Sequence, residues 1–293
     1  MLKVTINSPS NPEIVYKTLA FPDGTQKIDF EGPGRPAFEG IDEFGAKITW
    51  TGYQGDEELV RLAFITRHLQ DVFNTDVELF MPYIPNARMD RVKSQSEVFT
   101  LKYFAEFINS LNFSCVTVFD PHSDVAPALF NHVKVWTPES AIEKVIEERN
   151  INYLYFPDEG AYKRYGSMFP NKEIFVGHKV RDWLTGKIKG LEVSTISGHR
   201  PVSGAYGNQV GLHVLMIDDI ISYGGTLAYG ADELRKFGLN DIYAWASHTE
   251  NSVLDPEKGT LLKRLKDGTV KKIYTTNSLY TGNSKYVEVI KEF

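Results

Sequence analysis

Residues Val214 to Gly238 read VLMIDDIISYGGTLAYGADELRKFG: an apolar run, two aspartates, a turn of small residues broken by a tyrosine, and a helical pattern. Open α/β sheets repeat a buried strand, a turn and a helix, and hold ligands beyond the carboxyl ends of their strands. Asp218 and Asp219 stand at that edge. Adjacent carboxylates repel one another unless a cation or hydroxyl groups satisfy them. Gly224 and Gly225 allow a tight turn and a close approach of a ligand to the backbone. Thr226 is placed to cap a helix beginning at Leu227, whose free amides and positive dipole end favour a phosphate. The stretch therefore suits ribose hydroxyls or Mg2+ at the acids and a phosphate at the turn. It suits an ordinary capped helix with solvated acids equally well. The turn lacks G-x-G-x-x-G spacing, and no G-x-x-x-x-G-K-[ST] loop occurs in the chain.

Working outward, short apolar runs alternate with helical patterns. VELFMPYI precedes a segment in which Leu101, Phe104, Ile108 and Leu111 recur at helical spacing, and SCVTVFD follows as a strand. Upstream, Leu59, Leu62, Ile65, Leu69 and Val72 form one apolar stripe. Later come NYLYFPD, EIFVGHK, HVLMIDDI, DIYAWASH and KKIYTTN, near-continuous runs expected of strands covered on both faces. The alternation predicts an α/β protein with mostly parallel sheets. The series restarts near Ala141, after Pro138 and Ser140 mark a helix entrance. Two domains, 1–140 and 141–293, are expected, with the last residues able to pack back on the first domain.

The chain has 293 residues, 42% of them hydrophobic, enough for packed cores. Its single cysteine, Cys115, cannot form an internal disulfide and sits in an apolar run, as a core residue would. The sequence shows neither a leader at its N-terminus nor an apolar run long enough to span a bilayer, so a soluble cytoplasmic protein with no membrane partner is expected. The net charge of −6 argues against a nucleic-acid partner. The basic cluster KRLKDGTVKK reads as a solvated hairpin.

Further segments carry candidate chemistry. Lys179 and Arg181 lie two apart at a strand end in FVGHKVR, where they can face one side and clamp developing negative charge, or simply flank a turn in solvent. MPYIPNARMDRVKSQSEVF places Arg88, Asp90 and Arg91 after a strand; arginine forks suit nucleotide phosphates, and also interface salt bridges. VTVFDPHSD puts Asp120 and His122 at another strand end, and YFPDEGAYKRY puts Asp158 after a third. Near the N-terminus FPDG is a good turn sequence.

Together these segments resemble the ribose-phosphate pyrophosphokinase (phosphoribosyl-pyrophosphate synthetase) family. VLMIDDIISYGGT resembles its phosphoribosyl-pyrophosphate loop, a loop shared with type I phosphoribosyltransferases; MPYIPNARMDR its P-Y-x-x-x-A-R-x-D-R core; VTVFDPHSD its D-x-H strand end; YFPDEG its P-D-x-G turn; and FVGHKVR its K-x-R pattern. The matches follow the family's order over roughly residues 10 to 280.

The resemblance implies two type I phosphoribosyltransferase-like domains, the first on the ATP side and the second carrying the sugar-phosphate loop. It implies transfer of the β,γ-diphosphoryl group of ATP to the anomeric hydroxyl of a ribose 5-phosphate unit, with Mg2+ and release of AMP, in homodimers or higher homo-oligomers. Lys179 and Arg181 would be catalytic. Phe21, Asp23, Arg88, Asp90 and Arg91 would bind ATP, with Phe21 and Asp23 receiving adenine across a subunit interface. Asp120, His122 and Asp158 would hold metal, and Asp218, Asp219 and Ser222 to Thr226 the sugar phosphate.

Departures from the family pattern stand beside the matches. Thr25 occupies a usual glutamate position after the FPDG glycine. Gly186 to Gln209, at the place of the catalytic lid, allow no residue-level match. Tyr223 interrupts the D-T-x-G-T phosphate turn. A ring there either points away harmlessly or lines a path for something beyond the 5-phosphate, so that ribose 5-phosphate and an extended sugar such as ADP-ribose both stand as acceptors. A type I phosphoribosyltransferase and an inactive regulatory subunit are the competing readings.

Overall fold

The computed structural model describes the backbone of residues 1–10, 12–31, 38–181, 188–195 and 212–293, and their side chains except at 179–181, 188–192 and 195. Two compact units divide the chain, Met1–Thr137 and Pro138–Phe293.

The first unit contains strands β1 (Leu2–Ile6), β2 (Glu13–Ile14), β3 (Tyr16–Ala20), β4 (Gln26–Phe30), β5 (Ala46–Trp50), β6 (Val77–Met81), β7 (Cys115–Phe119) and β8 (Val133–Trp136). Its helices are α1 (Ile41–Phe44), α2 (Glu57–Phe73), α3 (Thr100–Ser110) and α4 (Val125–Leu129). Six strands form one sheet in the order β2-β1-β5-β6-β7-β8. β1 pairs antiparallel with β2 and β5, and β5 to β8 run parallel. β3 and β4 make a separate hairpin with FPDG at its tip. Leu62, Ile65 and Leu69 of α2 and Leu101, Phe104 and Ile108 of α3 are buried in this unit's core. Val72 is 60% exposed. Continued at the helical period, the stripe through Leu69 falls between residues 72 and 73, and Phe73 packs on the core instead.

The second unit contains α5 (Glu139–Glu148), β9 (Tyr153–Phe156), α6 (Glu159–Tyr165), β10 (Glu173–Arg181), β11 (Ile188–Thr195), β12 (His213–Ile221), α7 (Gly225–Lys236), β13 (Asp241–Thr249), α8 (Thr260–Lys266), β14 (Val270–Thr276) and β15 (Val287–Ile290). The sheet order is β11-β10-β9-β12-β13-β14-β15, parallel except where β10 meets β11. β15 completes this sheet within the second unit.

Both faces of the second sheet are covered, which explains its unbroken apolar strands. Val214 and Met216 of β12 point into a core shared with Leu227, Ala231 and Leu234 of α7 and Leu261 and Leu265 of α8. Leu215 and Ile217 point the other way, to Ile142 and Val145 of α5 and Ala161 and Tyr165 of α6. The segment KRLKDGTVKK is the end of α8, a turn and the start of β14 rather than a hairpin. Leu261, Leu262 and Leu265 give that segment a buried helical face, leaving its charges on the other. Among the described residues no helix is long and apolar enough to cross a membrane. Cys115 is buried, 3.7 Å from the Thr117 hydroxyl.

Gly230 shows how close α7 lies to β9. A Cβ there would sit 2.6 Å from the Tyr155 ring and 2.7 Å from its hydroxyl. Gly230→Ala is therefore expected to cost about 1–3 kcal/mol of unfolding free energy by overpacking, measured by chemical denaturation.

Candidate active site

The carboxyl ends of β9 and β12 lie side by side, because these strands pair in parallel from Val214 opposite Tyr153. Asp158 leaves β9 and caps α6, accepting a hydrogen bond from the Ala161 amide at 3.0 Å. Asp218 and Asp219 lie among the last four residues of β12. The Asp219 amide donates to Asp218 Oδ1 at 3.0 Å. Asp219 is 2% exposed and Asp218 half-buried.

Two acids so placed require compensation, and α6 provides it. The Arg164 guanidinium lies 3.2 Å from Asp219 Oδ1. Arg164 was not among the residues singled out in the sequence, although a carboxylate pair on an apolar strand demands a cation somewhere. Asp218 has a different environment. Loss of solvation pushes its carboxyl well above the usual carboxylate range, and the charges of Asp219 and Asp158 add to the effect. Burial likewise raises the Tyr155 phenol, with Asp158 and Asp218 contributing.

The turn after β12 is pinned from α8. The Tyr223 carbonyl accepts hydrogen bonds from the Thr260 amide at 2.9 Å and the Leu261 amide at 3.2 Å. Gly224 adopts φ 74°, and a Cβ there would lie 2.4 Å from Leu261 Cβ, so conformation and space both demand glycine. With the turn held this way α7 begins at Gly225, two residues before the expected start. Gly224 is its N-cap and no side chain caps it. Thr226 lies within the first turn and is not the cap. Among the described residues no side chain caps α7 at Gly224, and uncapped leading amides of a helix favour an anion. The Tyr223 side chain is 39% exposed at this turn.

Lys179 and Arg181 end β10, where the register with β11 shifts between Val180 and Arg181. Both side chains lie outside the described residues. Of the segment Gly186 to Gln209, Ile188–Thr195 forms β11 and the remainder lies outside the described residues.

In the first unit, Asp120 and His122 follow β7. Asp120 is buried at φ 43°, its amide donating to the Trp136 carbonyl at 2.9 Å. Arg88, Asp90 and Arg91 lie on the loop after β6, with Arg91 Nε 3.9 Å from Asp90 Oδ1. The Phe119 amide donates to the Pro82 carbonyl at 3.2 Å, tying the two strand ends together. At the hairpin tip Phe21 is exposed. Asp23 Oδ1 accepts both the amide (3.0 Å) and the hydroxyl (2.7 Å) of Thr25, and these bonds hold its carboxyl below the usual range. Thr25, the departure noted in the sequence, therefore engages Asp23 within the turn itself. Among the described residues no three histidine, cysteine or carboxylate groups converge as a metal cage.

Known proteins are similar to this chain along most of its length. No family model matches the sequence. The ribose-phosphate pyrophosphokinase of Saccharolobus solfataricus is 24% identical over 284 residues, 96% of this chain and 90% of that one. Its counterpart in Sulfurisphaera tokodaii is 27% identical over 240 residues, 80% of this chain and 76% of that one. In Bacillus subtilis the figures are 24% over 281 residues, 93% and 80%. The crystal structure of phosphoribosylpyrophosphate synthetase from Mycobacterium smegmatis superposes with a TM-score of 0.72 at 18% identity, covering 95% of this chain and 86% of that one, a likeness of fold.

The chain resembles the ribose-phosphate pyrophosphokinase family along most of its length. Its fold is the family's α/β architecture of type I phosphoribosyltransferase-like units with mostly parallel sheets. The likeness supports transferase activity at the level of the family.

Two outcomes follow for the acids. Arg164→Met is expected to lower unfolding free energy by about 1–3 kcal/mol, less than for a fully buried pair because the arginine is partly exposed. Adding Asp219→Asn should recover most of that loss in a double-mutant cycle. For Asp218 the folded carboxyl binds its proton more tightly than the unfolded one, so its contribution to stability declines as pH rises above the unfolded value of about 4. Asp218→Asn should therefore raise the thermal midpoint at about pH 7, with the gain shrinking toward pH 4.

Proposed function

We propose that the chain is a Mg2+-dependent pyrophosphokinase that transfers the β,γ-diphosphoryl group of ATP to the anomeric hydroxyl of a ribose 5-phosphate unit. The observation that carries this reading is the edge formed by β12 and its turn: two acids, one held by Arg164, followed directly by the uncapped start of α7. Acids for ribose hydroxyls and amides for the 5-phosphate are thus adjacent, within one chain segment.

In the reaction the anomeric oxygen attacks the β-phosphorus of ATP, the bond between the β-phosphorus and the bridging α–β oxygen breaks, AMP departs with that oxygen, and the hydroxyl proton is released. Phosphoryl-type transfer depends on positioning and charge neutralisation. Lys179 and Arg181 are assigned to the transferring group. Arg88, Asp90 and Arg91 are assigned to the ATP phosphates, and Phe21 and Asp23 to its base, in a homodimer or larger homo-oligomer. Asp218 and Asp219 are assigned to the ribose, and Ser222 to Thr226 to its 5-phosphate.

Asp120, His122 and Asp158 are assigned to Mg2+, whose charge would offset that developing on the phosphates.

The acceptor is ribose 5-phosphate or a sugar extended beyond that phosphate, such as ADP-ribose. Tyr223 favours the second. Its carbonyl is fixed by α8 while its ring stays exposed beside the start of α7, free to stack on a base or ribose carried past the phosphate.

Purified protein with ATP and Mg2+ should release AMP only when an acceptor is added, more readily with ADP-ribose than with ribose 5-phosphate. AMP release with neither sinks the pyrophosphokinase reading, and a requirement for a nucleobase restores the phosphoribosyltransferase one. Lys179→Ala should lower turnover by about 10²–10³-fold with the thermal midpoint retained, whereas an inactive regulatory subunit would have no turnover to lose. Tyr223→Thr should erase the preference for ADP-ribose.

A further inference from the structure

Between Ser222 and Thr226 the turn after β12 carries two glycines and Tyr223, whose phenol oxygen sits at the far end of an exposed ring. The middle of the turn therefore offers a phosphate no short hydroxyl of its own. One arrives from another element. In an α-helix the Cα–Cβ bonds tilt toward the N-terminus, so the space where a Gly225 side chain would stand lies at the mouth of α7. A Cβ built there would meet Thr260 Oγ1 at 4.0 Å and, apart from its chain neighbours and the backbone of α7, no other described atom within that distance. The backbone holds Thr260 at this spot: its amide donates to the Tyr223 carbonyl at 2.9 Å, and the Leu261 amide to the same carbonyl at 3.2 Å. The loop before it is tied as well. Asp255 Oδ1 accepts from the Glu257 amide at 2.9 Å and the Lys258 amide at 2.8 Å, and the Gly259 amide donates to the Asp255 carbonyl at 2.9 Å. The Thr260 hydroxyl donates to the Lys258 carbonyl at 3.3 Å, a long bond for a hydroxyl donor.

We infer that Thr260 binds the acceptor's 5-phosphate, its hydroxyl supplying from α8 a hydrogen bond that residues 223 to 225 do not give. The inference rests on the reading that this turn holds that phosphate. The missing side chain at Gly225 lets a phosphate oxygen approach the leading amides of α7 and the Thr260 hydroxyl together. The hydroxyl hydrogen turns about the Cβ–Oγ1 bond to suit its acceptor. A charged phosphate oxygen is a stronger acceptor than the Lys258 carbonyl, which belongs to an exposed residue where water takes over the lost bond. The contact that fixes the backbone of Tyr223 also sets Thr260 beside Gly225. α8 thus replaces the small hydroxyl that a tyrosine at 223 does not offer. Both candidate acceptors carry the 5-phosphate, so Thr260 serves the binding of either, whereas Tyr223 bears on the choice between them.

Thr260→Val removes the hydroxyl while keeping the β-branch and the amide that holds Tyr223. Thr260→Ala is a second form without the hydroxyl, and Thr260→Ser returns it. Calorimetric titration of the Mg2+-free protein with ribose 5-phosphate reads binding without chemistry. The Kd should rise by about ten- to a hundred-fold in the Val and Ala variants, as loss of one hydrogen bond to a charged group implies, and return most of the way in the Ser variant. An unchanged Kd in the variants without the hydroxyl, or a loss that serine does not reverse, overturns the role of Thr260; an unchanged thermal midpoint ensures that folded proteins are being compared. AMP release from ATP is followed in parallel, with ribose 5-phosphate and with ADP-ribose. There the KM for the acceptor should rise while that for ATP stays, and an equal rise for ATP also overturns the role. Weaker binding in the Val variant without AMP release from the wild type would leave Thr260 standing and remove the pyrophosphokinase reading. AMP release with an unchanged Kd would do the reverse, and a wild type that binds no ribose 5-phosphate overturns the role of Thr260 whatever the AMP assay shows.

Discussion

β12 is buried on both faces, with Val214 and Met216 facing α7 and α8 and Leu215 and Ile217 facing α5 and α6. A strand enclosed in this way has no room for a charged side chain along its length, and its polar groups must emerge at its carboxyl end. Asp218 and Asp219 stand near that end, directly after Ile217 and ahead of the buried Ile221. Their closeness raises an electrostatic conflict, which the fold resolves unequally. Asp219 is deeply buried against Arg164, and Asp218 stays half-exposed with its carboxyl shifted upward by desolvation and by its neighbours. The two acids are thereby made different, one ion-paired to Arg164 and the other with a proton held more tightly than usual.

The turn that follows depends on the same burial. α8 packs beneath α7 through Leu261 and Leu265, and its first amides grip the Tyr223 carbonyl. That grip fixes the backbone while leaving the Tyr223 ring exposed. Gly224 is required twice over, by its positive φ and by Leu261 against its missing Cβ. A turn specified by packing at its back can vary at its front, where the Tyr223 ring lies exposed. Thr260 brings its hydroxyl to the same turn from the start of α8.

Much of this was legible in the sequence, because the relevant signals are local. Unbroken apolar runs marked the two-faced strands, helical spacing marked α2, α3 and α7, and the acids and glycines after HVLMI marked the strand end at which a ligand would sit. Misreadings arose where a partner distant in sequence decides the outcome. KRLKDGTVKK looked like a hairpin because its charges are contiguous, yet the leucines preceding and within it belong to a buried helical face. Thr226 looked like a cap, but the α8 amides position the turn so that the helix starts at Gly225. Val72 fitted the apolar stripe of α2 by spacing alone, and the core chose Phe73.

The chain's own order of residues determined the α/β class, the candidate strand ends and the chemistry gathered at each, because strand burial and helix periodicity are written in neighbouring residues. Only the tertiary structure decided which cation answers Asp219, why glycine is needed at 224, and which hydroxyl stands beside Gly225. Arg164, Leu261 and Thr260 reach the β12 edge from α6 and α8, across separations that no periodicity records.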